Sequence, residues 1–161
     1  MWTIENIVLL LSTLSVGLTA GLLFAWAVSV IVGLALTGDR TYVESMQSIN
    51  RTIQNPFFFS AFLGAAILLP ASTYISYGSS DNKFWWLLTA TAFYLIGVIG
   101  VTIFGNIPLN RRLDSFDLQR ASSLQITEAR TIFEQPWNRF NRIRTFAALI
   151  SFLMIIASLT I

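Results

Sequence analysis

The chain has 161 residues, 55% of them hydrophobic and only 11% charged, with a net charge of +2 and neither cysteine nor histidine. A soluble domain carries about 25% charged residues, so the composition points to a membrane protein. The missing residue types exclude disulfides, thiol chemistry, Cys/His zinc sites, His- or Cys-ligated haem and the Glu-x-x-His pairs of di-iron bundles within this chain.

Charge is absent from four stretches, 6–38, 52–80, 84–110 and 145–161. Crossing a hydrocarbon layer takes about 20 apolar residues, and three of the four exceed that. The last, with 17 residues from 145 to 161, is just sufficient. The first span, about 6–37, is too long for a signal-peptide core and has only Glu5 ahead of it, so it is expected to be retained. Its run Leu22-Leu23-Phe24-Ala25-Trp26-Ala27-Val28 lacks the polar stripe of a soluble amphipathic helix. Residues 41–54 contain no Pro or Gly and predict a further helix, broken where Pro56 keeps Asn55 out of helical geometry.

The second span covers about 56–78. A short turn around Asp81 and Lys83 leads to the third, about 84–106. Spacing of Leu118, Ala121, Gln125, Ala129 and Ile132 predicts a weakly amphipathic helix over 115–134. Pro136 is expected to separate it from a final helix from about Trp137 to Ile161, whose membrane part is 143–161. Small residues at Gly17 and Gly21, Ser60 and Gly64, and Gly97 and Gly100 are candidates for close helix contact. The expected fold is all-α: one integral-membrane domain, 1–161, built as an antiparallel four-helix bundle with additional cytoplasmic or interfacial helices in 39–55 and 107–142.

With four spans, 39–55 and 111–144 share one side of the membrane. That side carries Arg40, Arg51, Arg111, Arg112, Arg120, Arg130, Arg139, Arg142 and Arg144, against Lys83 alone on the other. By the positive-inside rule the basic end is cytoplasmic and both termini lie outside, in a cell (inner) membrane. Trp2, Trp85 and Trp86 then sit at the outer surface, with Trp26 and Trp137 near the inner one. No basic stripe is interleaved with aromatics, so nucleic acid is not an expected partner.

Three amide-rich clusters fall at the basic end. Gln47, Asn50 and Gln54 share a helix face, with Asn55-Pro56 following. Asn106-x-Pro108-Leu109-Asn110 ends the third span, and Trp137, Asn141 and Arg144 share a face of the last. Amides and a guanidinium offer many donors and acceptors. Two readings follow from them. They cap helix ends and lock loops, with Arg144 snorkelling to headgroups, or they converge on a pocket for a small ligand.

Gly21 with Phe24, Gln47-x-x-Asn50, Asn55-Pro56, Asn106-x-Pro108-Leu109-Asn110 and Trp137-x-x-x-Asn141-x-x-Arg144-Thr145 together resemble the pattern of the anthrone-oxygenase-like family of small four-span membrane proteins. The resemblance runs from about residue 9 to 157. It implies the four-helix fold and an activity of the kind linked to some members, oxidation of anthrones to anthraquinones, with no cofactor expected and no metal site. Substrate binding would fall to Gln47, Asn50, Asn106, Asn110, Trp137, Asn141 and Arg144. Arg144, Asn110 and Glu44 are the catalytic candidates, Asp114 is a second candidate base, and Trp26, Phe104 and Trp137 are candidate apolar walls.

The alternative is a non-catalytic module that binds lipid or a small ligand, or serves a larger membrane complex. Expected partners are the lipid bilayer and a hydrophobic small molecule or membrane protein, with oligomerisation left open. Proton-coupled transport is disfavoured, because no span carries an intramembrane carboxylate.

Overall fold

Helices begin where the chain offers a cap. Thr3 accepts from the Asn6 amide at 3.2 Å and starts α1, Ile4–Ala35. The amphipathic α2, Asp39–Thr52, follows after Gly38. Asn55 accepts from the Phe58 amide at 3.0 Å, and Pro56 sits where no N–H is needed, opening α3, Pro56–Ile75. After α4, Lys83–Asp114, a reciprocal capping box between Ser122 and Gln125 starts α5, Ser123–Ser158. The computed structural model describes residues 3–78 and 82–160. The expectations for Trp2 and for the turn at Asp81 lie outside the described residues.

Four of these five helices, α1, α3, α4 and α5, are long and apolar enough to cross a bilayer, and no strand occurs among the described residues. The chain is thus a multi-pass α-helical membrane protein. The four pack as a ring, α1 against α3, α3 against α4, α4 against α5, and α5 against α1. Val16, Leu69, Leu87, Tyr94, Val98, Ala148 and Ile155 fill the interior with little or no exposure. Leu14, Leu18, Ile67, Ile96, Phe146 and Leu153 point outward, as faces bathed in hydrocarbon should.

The second cluster of buried residues lies at the basic end, where Tyr42, Val43 and Met46 of α2 pack against Leu113, Leu118, Ile126, Phe133 and Trp137. Arg130 secures this end. Its guanidinium donates to the carbonyls of Thr37 (2.8 Å) and Ala35 (3.1 Å), pairs with Asp39 and Glu134, and covers the Tyr42 ring at 4.5 Å. Hydrogen bonds from Thr127 and then Arg130 hold the Asp39 carboxyl below its usual 3.8. Its contribution is therefore present at neutral pH and is lost only as acidification passes the depressed folded value.

Two sequence expectations need correction. Residues 115–122 form turns rather than the first part of a helix, because the Ser122–Gln125 box fixes the start at Ser123. Pro136 does not separate two helices: α5 runs through it for 36 residues. A proline removes one backbone bond, and here Phe133 and Trp137, stacked at 6.1 Å, pack on either side of the interruption. The third span likewise continues past Pro108, since a wide turn over Thr102–Asn106 already bonds the Ile107 amide back to Thr102.

One glycine of each expected close-packing pair makes the contact. A Cβ at Gly97 would lie 2.4 Å from the Ala147 Cβ, so α4 and α5 touch there almost backbone to backbone. Gly17 faces Phe152 and Gly64 faces Ser15. Gly21 has open space around it, and Gly100 meets only the carbonyl of Leu95 in its own helix. Gly97→Ala should therefore lower stability by roughly 1–3 kcal/mol, read as a lower thermal midpoint in detergent. Adding Ala147→Gly should recover most of the loss. An unchanged midpoint in the single variant would mean the helices do not meet this closely.

Candidate functional site

A cavity of about 330 Å³ opens where the four spanning helices meet the last turn of α2. Leu22, Leu23 and Trp26 of α1, with Phe58 and Phe62 of α3, form its apolar wall. Phe58 and Phe62 are one helical turn apart and stack at 5.1 Å, while Trp26 packs against Trp137 with ring centroids 5.3 Å apart. The polar wall comes from Asn50, Thr102, Asn106, Asn110, Asn141 and Arg144. At the rim stand the exposed Arg51, Arg111 and Asp114, where Arg51 Nε donates to Asp114 at 2.6 Å.

Helix irregularities set this wall. Trp26 opens a wide i→i+5 turn over Trp26–Val30, and Asn106 closes the one over Thr102–Asn106. Such turns add a residue to the helical register and often mark functional positions. On α5, Trp137, Asn141 and Arg144 follow at offsets of four and seven and face inward together.

Arg144 is the charged member of the inner wall and is buried, with 8% exposure. Its Nη2 donates to Asn141 Oδ1 at 2.8 Å, its Nη1 to Thr102 Oγ1 at 3.3 Å, and its guanidinium sits 5.6 Å from the Trp137 ring centroid. Among the described residues no carboxylate pairs with it. Four buried polar atoms of the wall have no partner: Arg144 Nε, Asn141 Nδ2, Asn50 Nδ2 and Asn106 Oδ1. A buried polar group without a partner costs about 1–3 kcal/mol, and more when charged. Three unpartnered donors and one acceptor, all on residues that line the same cavity, are the complement of a ligand bearing an anionic or carbonyl oxygen and a hydroxyl.

The structure brings together Asn50, Asn106, Asn110, Trp137, Asn141 and Arg144. Asn110 accepts from the Trp137 indole at 2.8 Å and fixes that ring, while Asn106 Nδ2 reaches the Trp137 carbonyl at 3.4 Å. Gln47 and Glu44 lie elsewhere. The Gln47 amide donates to the carbonyls of Leu113 (2.8 Å) and Phe116 (2.9 Å), tying α2 to the end of α4. Glu44 is exposed on α2 and is not part of the cavity wall. Phe104 is 84% exposed and faces outward, away from the cavity. Asp114, the second candidate base, does line the rim. Thr19, Thr102, Phe58 and Phe62 escaped sequence reasoning. Their one advance signal was position: Thr102 lies a turn before Asn106, and the phenylalanines follow the Asn55-Pro56 cap.

An all-helical membrane bundle enclosing an apolar cavity with a buried, uncompensated guanidinium is the class these features define. The family model described as anthrone oxygenase matches residues 51–154, about two thirds of the chain, and the protein belongs to that family. No curated protein and no solved structure matches it. The matched region contains every residue of the polar wall except Asn50.

The burial of Arg144 without a counter-charge has a measurable consequence. Arg144→Met keeps length and apolar bulk while removing the charge, and it should raise the thermal midpoint of the ligand-free protein by a few degrees, about 2–4 °C per kcal/mol gained. A lower midpoint would show that Arg144 is instead a structural tie for Asn141 and Thr102.

Proposed function

We propose that this protein is an oxygenase-like membrane enzyme acting on a hydrophobic aromatic or quinoid substrate held as an oxyanion. Family membership supports the reaction class. The observation that carries the reading is Arg144, buried in a mostly apolar cavity with its Nε unpartnered and no ion-pair partner among the described residues. A group so placed favours an anion strongly, because a low dielectric strengthens the attraction and the desolvation of the guanidinium is already complete.

The chemistry is that of a carbon acid conjugated to a carbonyl across a fused ring. Asp114 takes a proton from the ring CH2, and the resulting enolate oxygen lies against Arg144 and Asn141. Dioxygen accepts electrons from the enolate carbon and forms a C–O bond. The peroxide is protonated, and loss of water gives a ketone, so CH2 and O2 become C=O and H2O. Asn50 and Asn106 orient substrate oxygens, and Asn110 acts through the Trp137 ring it holds. Asp114 stands eight residues beyond Asn106 on α4, at the rim of the cavity. In this reading the basic end faces the cytoplasm, in a cell (inner) membrane with the termini outside, on the strength of nine arginines at that end.

The test is oxygen uptake by purified protein with an anthrone in detergent or nanodiscs. The wild type should consume one O2 per ketone formed. Arg144→Ala should reduce kcat/KM by roughly 10²–10³-fold, the usual effect of removing one oxyanion donor, and Asp114→Asn should lower kcat with ligand binding retained. Uptake unaffected by Arg144→Ala would refute the assignment. The engagement of Asp114 with Arg51 favours a second reading, a binding module without turnover. Tight quenching of tryptophan fluorescence by the same anthrone with no oxygen consumed would establish that reading instead.

A further inference from the structure

On the opposite side of α5 from the cavity a second, larger groove of about 1080 Å³ runs between α5 and the end of α1. We propose that it holds one anionic phospholipid, with the phosphate on Arg139 and Arg142 and an acyl chain along α1. The apolar part of the groove is Ala27, Ile31 and Val32 of α1 with Phe140 and Ile143 of α5. Its polar end carries Arg139 and Arg142, three residues apart on one exposed face, and no acidic residue lines it.

Charge complementarity selects the occupant. Arg130, further up the same helix, is neutralised by Asp39 and Glu134. Arg139 and Arg142 have no hydrogen-bond or ion-pair partner among the described residues, so two full charges face the groove. Both stand just before the charge-free stretch that begins at 145, the level of the headgroups. A soluble anion would satisfy the arginines but leave the apolar strip of α1 bare, and a zwitterionic lipid would cover the strip while bringing its own cation to the two arginines.

The groove also offers acceptors. Pro136 has no N–H for the Ile132 carbonyl, and both residues line the groove. Asn138 also lines the groove, and its Oδ1, enclosed in the wall behind it, has no partner. Phosphate oxygens cannot use acceptors, whereas headgroup hydroxyls can. Phosphatidylglycerol, a phosphodiester bearing a glycerol, meets both sets.

The experiment is native mass spectrometry and thermal melting of delipidated protein in mild detergent, with phosphatidylglycerol, phosphatidylcholine or inorganic phosphate added. Phosphatidylglycerol should bind one to one and raise the midpoint, and the other two should not. Each arginine near a charged surface is worth about a fivefold change in binding, so Arg139→Gln/Arg142→Gln should weaken retention roughly thirtyfold. Arg112→Gln/Arg120→Gln removes the same charge away from the groove and should leave retention intact. Equal binding of phosphatidylcholine, an equal effect of inorganic phosphate, or equal loss in the two double variants would each overturn the proposal.

Discussion

Hydrocarbon offers no hydrogen bonds, so each polar group on the spanning helices must find its partner inside the bundle. Apolar side chains gain little by meeting each other instead of lipid, and it is the polar contacts and the close backbone approaches that choose which helix faces which. Ser12 meets Ser72 at 2.9 Å between α1 and α3, and Thr73 meets Thr91 at 2.8 Å between α3 and α4. Ser151 donates to the Ala90 carbonyl at 2.9 Å between α5 and α4. The Tyr94 hydroxyl ties α4 to the Phe62 carbonyl of α3 at 2.9 Å and lies 3.3 Å from Thr19 on α1. These hydroxyl contacts, with the Gly97–Ala147 approach, fix a ring that apolar packing alone would leave free to slide.

The cavity is where that rule is relaxed. Everywhere along the seam a hydroxyl meets a hydroxyl or a carbonyl, yet four polar atoms around Arg144 are left waiting. A bundle of this size did not need an arginine at that depth, and an apolar residue would have packed there without penalty. Stability given up in one place, beside two local departures from regular helix, is the pattern of a site shaped for something other than folding.

The spans were legible because charge is so unfavourable in hydrocarbon that its absence marks the helices almost directly. The Asn55-Pro56 break was legible too, since cap chemistry is local. Placement of the amides was only partly so. Helical spacing puts Gln47 and Asn50 on one face, but α2 lies across the end of the bundle, and three residues of helix separate a side chain bonded to carbonyls at and just beyond the end of α4 from one lining the cavity. Trp137 carried the signal of an interface anchor, and only the inward face of α5 distinguishes it from one, with 4% exposure. Continuity through Pro136 rests on Phe133 and Trp137, which stack across it inside a cluster with Tyr42 and Met46 of α2 that no local rule contains.

The extra residue in the wide turn at Thr102–Asn106 acts as a measured spacer. Each residue of an α-helix advances the face by about 100°. Closing that turn to regular geometry by one residue would rotate Asn110, Arg111 and Asp114 by that angle relative to the helix above. The indole of Trp137 would lose its acceptor and the cavity its rim, while the membrane-buried half of α4 kept its packing on Ala147. Scaffold and site thus occupy separate registers of one helix, and altering that length would re-aim the site at the cost of the Leu113 contacts with α2 while sparing the packing on Ala147.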